Sequence, residues 1–258
     1  MNEYETRFGG IALLYGREGL ARLRAAHVCV VGIGGVGTWT AEALARSGIG
    51  SITLVDLDEV CVSNINRQLH ALTDTVGRAK VEVMAERIHA INPDCRVIQE
   101  QRFFNEQTAT ELLAPKFDFV VDAIDSLANK ILLLAECRRR NLPVIACGGA
   151  GGRRDGTAVR LADLAKVTHD RLLAEVRKKL RQEFKLPIDT ASLGVMCVYS
   201  AEPPVFQQPD GSVCENRAAA ADGTRLNCDG GLGSATFVTG AFGFAAAGFV
   251  VRKIAGQD

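Results

Sequence analysis

The sequence predicts an α/β protein built on a doubly wound, mostly parallel sheet, and three observations carry that prediction. A glycine-rich turn, GIGGVG at residues 32–37, directly follows the apolar run at residues 28–31. Apolar strand-like runs then alternate with helix-period segments five times, the pattern of βαβ units joined by right-handed crossovers. Those runs are apolar at successive positions rather than at every second one, as expected of strands covered on both faces.

Each element follows from a local signal. Residues 27–31 read as a strand, 35–47 as a helix and 52–56 as the next strand. Val81, Met84, Ala85, Ile88 and Ile91 recur at helical spacing, and that helix stops at Asn92-Pro93, where proline disfavours continuation. A strand at 96–100, a helix around 106–113, a strand at 119–122, a helix at 127–140 and a strand at 144–148 continue the alternation. The glycines of residues 148–152 break it, and 157–161 resumes as a strand. Over residues 170–184, Leu172, Val176, Leu180 and Phe184 form one helical stripe, while Arg171, Arg177, Lys178, Lys179 and Arg181 lie off it. That basic face is either plain solvation or a contact surface for a phosphate backbone.

Residues 186–229, rich in proline, glycine and polar side chains, read as a long crossover loop. Residues 232–251 carry no charge and are long enough to cross a bilayer. They include Gly233, Gly240, Gly243 and Gly248 with Ser234, Thr236 and Thr239, which favours a buried helix of closely packed small residues at a subunit interface over membrane contact. The chain is read as one domain over 1–258: a helical arm at 1–26, a core at 27–161, and a region at 162–258 holding the basic helix, the crossover loop and the C-terminal apolar helix.

Composition narrows the function classes. Thirty basic and thirty acidic residues balance, so no global field draws the chain to nucleic acid or anionic lipid, and only local basic clusters matter. The amino terminus, MNEYETRFGG, has no apolar signal region, which points to a cytoplasmic protein. Eight single cysteines with no CxxC pair argue against a structural zinc and against a disulfide framework. His27, His70, His89 and His169 show no ligand spacing and are assigned no role.

The glycine turn carries the first chemistry. Gly34, Gly35 and Gly37 allow backbone close to a phosphate, and the helix beginning there offers unpaired N–H groups and a positive dipole end. Asp56, at the end of the second strand, is placed to accept hydrogen bonds from ribose hydroxyls, completing a Rossmann-like fingerprint. This much leaves a dehydrogenase and an adenylating enzyme equally open. Arg67 tips the balance toward a triphosphate, because a guanidinium holds phosphate oxygens bidentately and stabilises charge developing on them. Asn64 and Gln68 add neutral donors, and Lys80, at the start of the third helix, meets a polyphosphate as a point charge. Asp125 ends the fourth-strand element, where a carboxylate beside phosphate charge is explained by a shared Mg²⁺; Asp122 is left as a structural strand-end residue.

Assembled, GIGGVG, VDLD, NxNRQ, Lys80 and the aspartate of DAIDS resemble the adenylating enzymes related to ubiquitin activation. The resemblance implies a homodimer that binds ATP through Asp56, Asp58, Asn64, Asn66, Arg67, Gln68 and Lys80, with Mg²⁺ on Asp125 and an arginine, here Arg7, supplied by the partner's amino terminus. RFGG, LYG, INPDCRV, CGGAGG, LADLAK, GVMCVYSAE and AFGFAAAG extend it over nearly the whole chain to the branch that dehydrates threonylcarbamoyladenosine in transfer RNA, which also lacks the zinc pairs. That branch implies adenylation of the threonyl carboxylate and ring closure by the carbamoyl group. Activation of a ubiquitin-like sulfur carrier is the alternative, and a partner of the cysteine desulfurase type is also implied. Related enzymes pass groups through a thiol; Cys228 is the first candidate here and Cys197 the second. Ser126 departs from the asparagine that many relatives carry after the metal aspartate.

Overall fold

The computed structural model describes residues 3–187, 191–208, 210–215 and 232–257. Its strands are β1 (His27–Val31), β2 (Ser51–Val55), β3 (Arg96–Glu100), β4 (Phe119–Asp122), β5 (Val144–Cys147), β6 (Val159–Asp163) and β7 (Met196–Ser200), joined in one sheet of order β3-β2-β1-β4-β5-β7-β6. All pairings are parallel except β6 against β7. A separate hairpin pairs β8 (Phe206–Gln207) with β9 (Val213–Cys214). The chain leaves β1 toward one side and enters β4 on the other, so a switch point lies between those strands, where open α/β sheets bind ligands. Register puts Val31 beside both Val55 and Asp122, so three strands end level and deliver their loops to one edge.

The helices are α1 (Glu3–Ala25), α2 (Gly37–Arg46), α3 (Lys80–Ile91), α4 (Ala109–Leu112), α5 (Leu127–Arg139), α6 (Arg171–Glu183) and α7 (Thr236–Ala255). On one face α7 packs against α2, with Val238, Phe242, Ala246 and Val250 fully buried at four-residue spacing. Two glycines are sterically required near the site. Gly32 has φ 91°, and a Cβ there would stand 2.8 Å from the Ala123 carbonyl oxygen; one on Gly37 would run into the Gly32 carbonyl.

Three expectations need correction. The crossover region is not simply a loop, because GVMCVYS supplies β7, inserted between β5 and β6; its apolar run is short and set among polar residues, which hid it. The helix expected around 106–113 shrinks to α4, since the Asn105 side chain caps the N–H groups of Gln107 and Thr108 and delays its start. On α6 the buried stripe is Leu173, Val176 and Leu180, with Leu172 only half-buried. On α7, Gly243 serves packing within the chain: a Cβ there would meet the Trp39 side chain at 2.6 Å and the Val36 carbonyl at 2.8 Å. Among the described residues α7 is long and apolar enough to cross a membrane, yet half of it is buried in this core.

Candidate active site

Side chains fix three successive peptide planes of the glycine turn. The Ile33 N–H donates to Asp56 Oδ2 at 2.6 Å, the Ile33 carbonyl meets His70 Nε2 at 3.2 Å, and the Gly34 carbonyl accepts from Thr38 Oγ1 at 2.8 Å and from the Thr38 N–H at 3.2 Å. Space lies open where a Gly34 side chain would stand, the nearest group being Gln68 Nε2 at 3.9 Å. This is room for a phosphate against backbone N–H groups at the start of α2. Asp56 also accepts the Asp58 N–H at 2.8 Å, and its carboxyl is raised by burial against the opposing pull of the Lys80 ammonium. Each of its oxygens retains acceptor capacity for a ribose hydroxyl.

The Asn64–Gln68 segment projects the phosphate-binding candidates over this turn. Asn64 is buried and its Oδ1 accepts the Cys61 N–H at 3.0 Å, while its carbonyl takes the N–H groups of Arg67 and Gln68. Asn64 therefore shapes the turn through the oxygen that sequence reasoning left free. Asn66 donates to the Ser234 carbonyl at 2.8 Å and accepts from Arg67 Nη1 at 3.1 Å. The guanidinium of half-buried Arg67 also donates to Ser63 O at 2.6 Å, and the Arg67 carbonyl is held by Trp39 Nε1 at 3.2 Å and Thr239 Oγ1 at 3.1 Å. Gln68 is buried with no hydrogen-bond partner for its Oε1, an arrangement that a donor on a bound molecule would complete.

Lys80 begins α3 and is buried, its Nζ 2.8 Å from Asp58 and 4.0 Å from Asp56. Asp125 stands exposed on the turn after β4. Among the described residues no three histidine, cysteine, aspartate or glutamate side chains group as a metal cage. A magnesium ion there would take one protein carboxylate and complete its shell with phosphate and water, the usual habit of that ion. Sequence reasoning missed the support under this turn. Asp122 is fully buried, accepts the Ile124 N–H at 3.0 Å and lies 2.8 Å from the equally buried Lys130 ammonium. The signal was available: Asp122 and Lys130 flank the start of a helix at a strand end, and two such charges at buried positions must pair.

Other candidates lie apart. Arg7 of the same chain pairs with Glu3 and reaches the Ile91 carbonyl at 3.3 Å, at the end of α3 opposite Lys80. At about 1.5 Å of rise per residue that helix separates them by about 16 Å, so Arg7 is remote from its own chain's nucleotide turn. Cys197 is fully buried on β7, and burial raises its thiol well above the ordinary value, which removes it as a nucleophile in this conformation. Cys228 lies outside the described residues. On α6, Arg177 is committed to the carbonyls of Leu164 and Val167, whereas Arg171, Lys178 and Lys179 are exposed. A cavity of about 760 Å³ opens at the opposite edge of the sheet beside Phe119, Val144 and Met196, and so takes no part in this site.

The profile of the ThiF family matches residues 9–256 of the chain. The transfer-RNA threonylcarbamoyladenosine dehydratase of Escherichia coli K12 is 48% identical over 252 residues, covering 97% of this chain and 94% of that one. A crystal structure of the E. coli dehydratase in complex with ATP superposes with a TM-score of 0.85 at 44% identity, covering 98% of this chain and 96% of that chain. Its complex with AMP superposes with a TM-score of 0.86 at 45% identity over the same shares.

Proposed function

The chain belongs to the ThiF family, and we propose that it is an ATP-dependent enzyme that dehydrates threonylcarbamoyladenosine in transfer RNA. The observation that carries this reading is likeness over nearly the full length to a dehydratase solved with ATP and with AMP, combined with a glycine turn, Asp56, Gln68 and Lys80 converging at one sheet edge. We read all 258 residues as one adenylation unit, working in the cytoplasm as a homodimer and classed with ligase-type chemistry. A sulfur-relay partner of the desulfurase type belongs to the same reading.

The chemistry runs in two steps. A threonyl carboxylate oxygen attacks the α-phosphorus of ATP, forming a carboxyl-phosphate bond and releasing pyrophosphate. The carbamoyl group on the same side chain then attacks the activated carbonyl carbon, AMP leaves, and loss of the attacking group's proton closes the ring, for a net loss of one water. Activation is needed because a carboxylate is a poor acyl donor, and the nucleophile is already held within reach. The turn from Gly34 to Gly37 binds phosphate, Asp56 the ribose, and Arg67 with Lys80 balances charge on the polyphosphate. Asp125 would hold Mg²⁺, which supplies further charge neutralisation when bound. The partner's Arg7 is assigned to the same cluster; its remoteness from its own site supports that assignment. No enzyme thiol is required.

Incubating modified transfer RNA with the protein and ATP, then digesting to nucleosides, is expected to give a threonylcarbamoyl nucleoside lighter by one water, with AMP and pyrophosphate in equal amounts. ADP as the product would exclude adenylation. Formation of an adenylate on a ubiquitin-like sulfur carrier, with no response to transfer RNA, would replace this reading by carrier activation.

The exposed cations of α6 are assigned to the RNA backbone. Replacing Arg171, Lys178 and Lys179 by alanine is expected to weaken transfer-RNA binding and lower the magnitude of the slope of log K against log salt by up to about 2 to 3, since each neutralised phosphate contributes roughly 0.7 to 0.9 to that slope. Filter binding at several salt concentrations measures this, and an unchanged slope returns the face to ordinary solvation.

A further inference from the structure

We infer that His70 is a positioning residue that aims the Gly34 N–H at the nucleotide phosphates; the inference rests on the ATP-binding reading above. His70 is 2% exposed, and its Nε2 lies 3.2 Å from the Ile33 carbonyl oxygen. That carbonyl belongs to the peptide unit whose N–H is Gly34's. Because the peptide is planar and trans, its C=O and N–H point in opposite directions. Holding the oxygen from behind therefore turns the Gly34 N–H away from His70; among the described residues no backbone acceptor takes that N–H, and space lies open beside Gly34. Asp56 fixes the preceding plane through the Ile33 N–H, and Thr38 the following one through the Gly34 carbonyl. His70 supplies the middle of three holds on a turn whose glycines would otherwise leave the plane free to rotate.

The proton on the ring can be located. Burial, and to a smaller degree the Lys80 ammonium, push the imidazole down to about 4, so it is neutral near neutral pH. A neutral ring bound to a carbonyl carries its hydrogen on that nitrogen, so Nε2 donates to Ile33. Nδ1 is then a bare acceptor, buried without a partner, an arrangement that packing alone does not call for. The His70 carbonyl is itself anchored by Thr75 Oγ1 at 2.7 Å, which fixes the ring's approach.

The test compares His70→Phe, which fills the space without a donor, with His70→Gln, whose Nε2 can reach the same carbonyl. In the His70→Phe protein the KM and the calorimetric Kd for ATP are expected to rise about tenfold, the effect of one buried hydrogen bond, while kcat at saturating ATP stays within about twofold. His70→Gln is expected to recover most of the affinity. Equal losses in both variants, or a fall in kcat at unchanged KM, would show a packing or different role and overturn the inference. If His70→Phe does not fold, His70→Asn, one bond too short to reach Ile33, takes its place in the same comparison. Failure of the unsubstituted protein to bind ATP would instead defeat the nucleotide reading, so the two failures are separable.

Discussion

Replacing Arg67 by alanine is expected to lower AMP formation by about 10³-fold or more, the lower range for an arginine that stabilises a transferring phosphate. The substitution removes a guanidinium already oriented by Ser63 O and Asn66 Oδ1. It leaves the main chain in place, because Trp39 and Thr239 hold the Arg67 carbonyl and Asn64 holds its N–H. Thermal stability should therefore hardly change. Lysine at 67 should restore little, since a compact ammonium cannot hold two phosphate oxygens in a planar fork. ATP–pyrophosphate exchange with modified transfer RNA measures the loss, and a rate within tenfold of the unsubstituted protein would remove Arg67 from the reaction.

That prediction could be framed from sequence because the site's first layer is made of local motifs. A glycine turn after an apolar strand and an acid at the end of the next one are fixed by βα geometry, so GIGGVG and Asp56 mark the switch-point edge of the sheet unaided. The sheet was legible for the same reason, apart from β7. A strand of five residues that is mostly buried carries no clear alternation, and MCVYS sits among turn residues that argue for loop.

What holds the first layer in place was not legible. His70 approaches Ile33 across 37 residues and Thr239 approaches Arg67 across 172. Neither separation corresponds to a helical or strand period, so no pattern in the chain announces the pair. Arg177 shows the converse: its position on a basic helix suggested a surface charge, and tertiary contacts turned it into a clamp on Leu164 and Val167. Residue type proposes a partner for a side chain only in chemical terms, and it gives no warning where that partner is another part of the chain.

The largest effect on stability is expected from Lys130→Met. Asp122 and Lys130 are both wholly buried, and the ammonium lies 2.8 Å from the carboxylate without an aligned hydrogen bond, so charge holds the pair. Removing one partner leaves an uncompensated buried charge and is expected to cost about 3 to 5 kcal/mol. Burial already raises the Asp122 carboxyl, and Lys130 is the chief influence pulling it back. Without that ammonium the folded protein retains a proton on Asp122 that the unfolded chain has released. The folded state then binds more protons than the unfolded one, so stability falls as pH rises above the ordinary carboxylate range. Denaturant melts of Lys130→Met should accordingly show a protein more stable at pH 5 than at pH 8, relative to the unsubstituted chain at each pH. Adding Asp122→Asn removes the titrating group, and the double variant should recover part of the loss and lose that pH dependence. A Lys130→Met protein with unchanged melts at both pH values would mean that water or rearrangement already compensates Asp122. Because Asp122 also anchors the Ile124 N–H just before Asp125, loss of the Lys130 ammonium is also expected to disturb the turn that carries the carboxylate assigned to Mg²⁺.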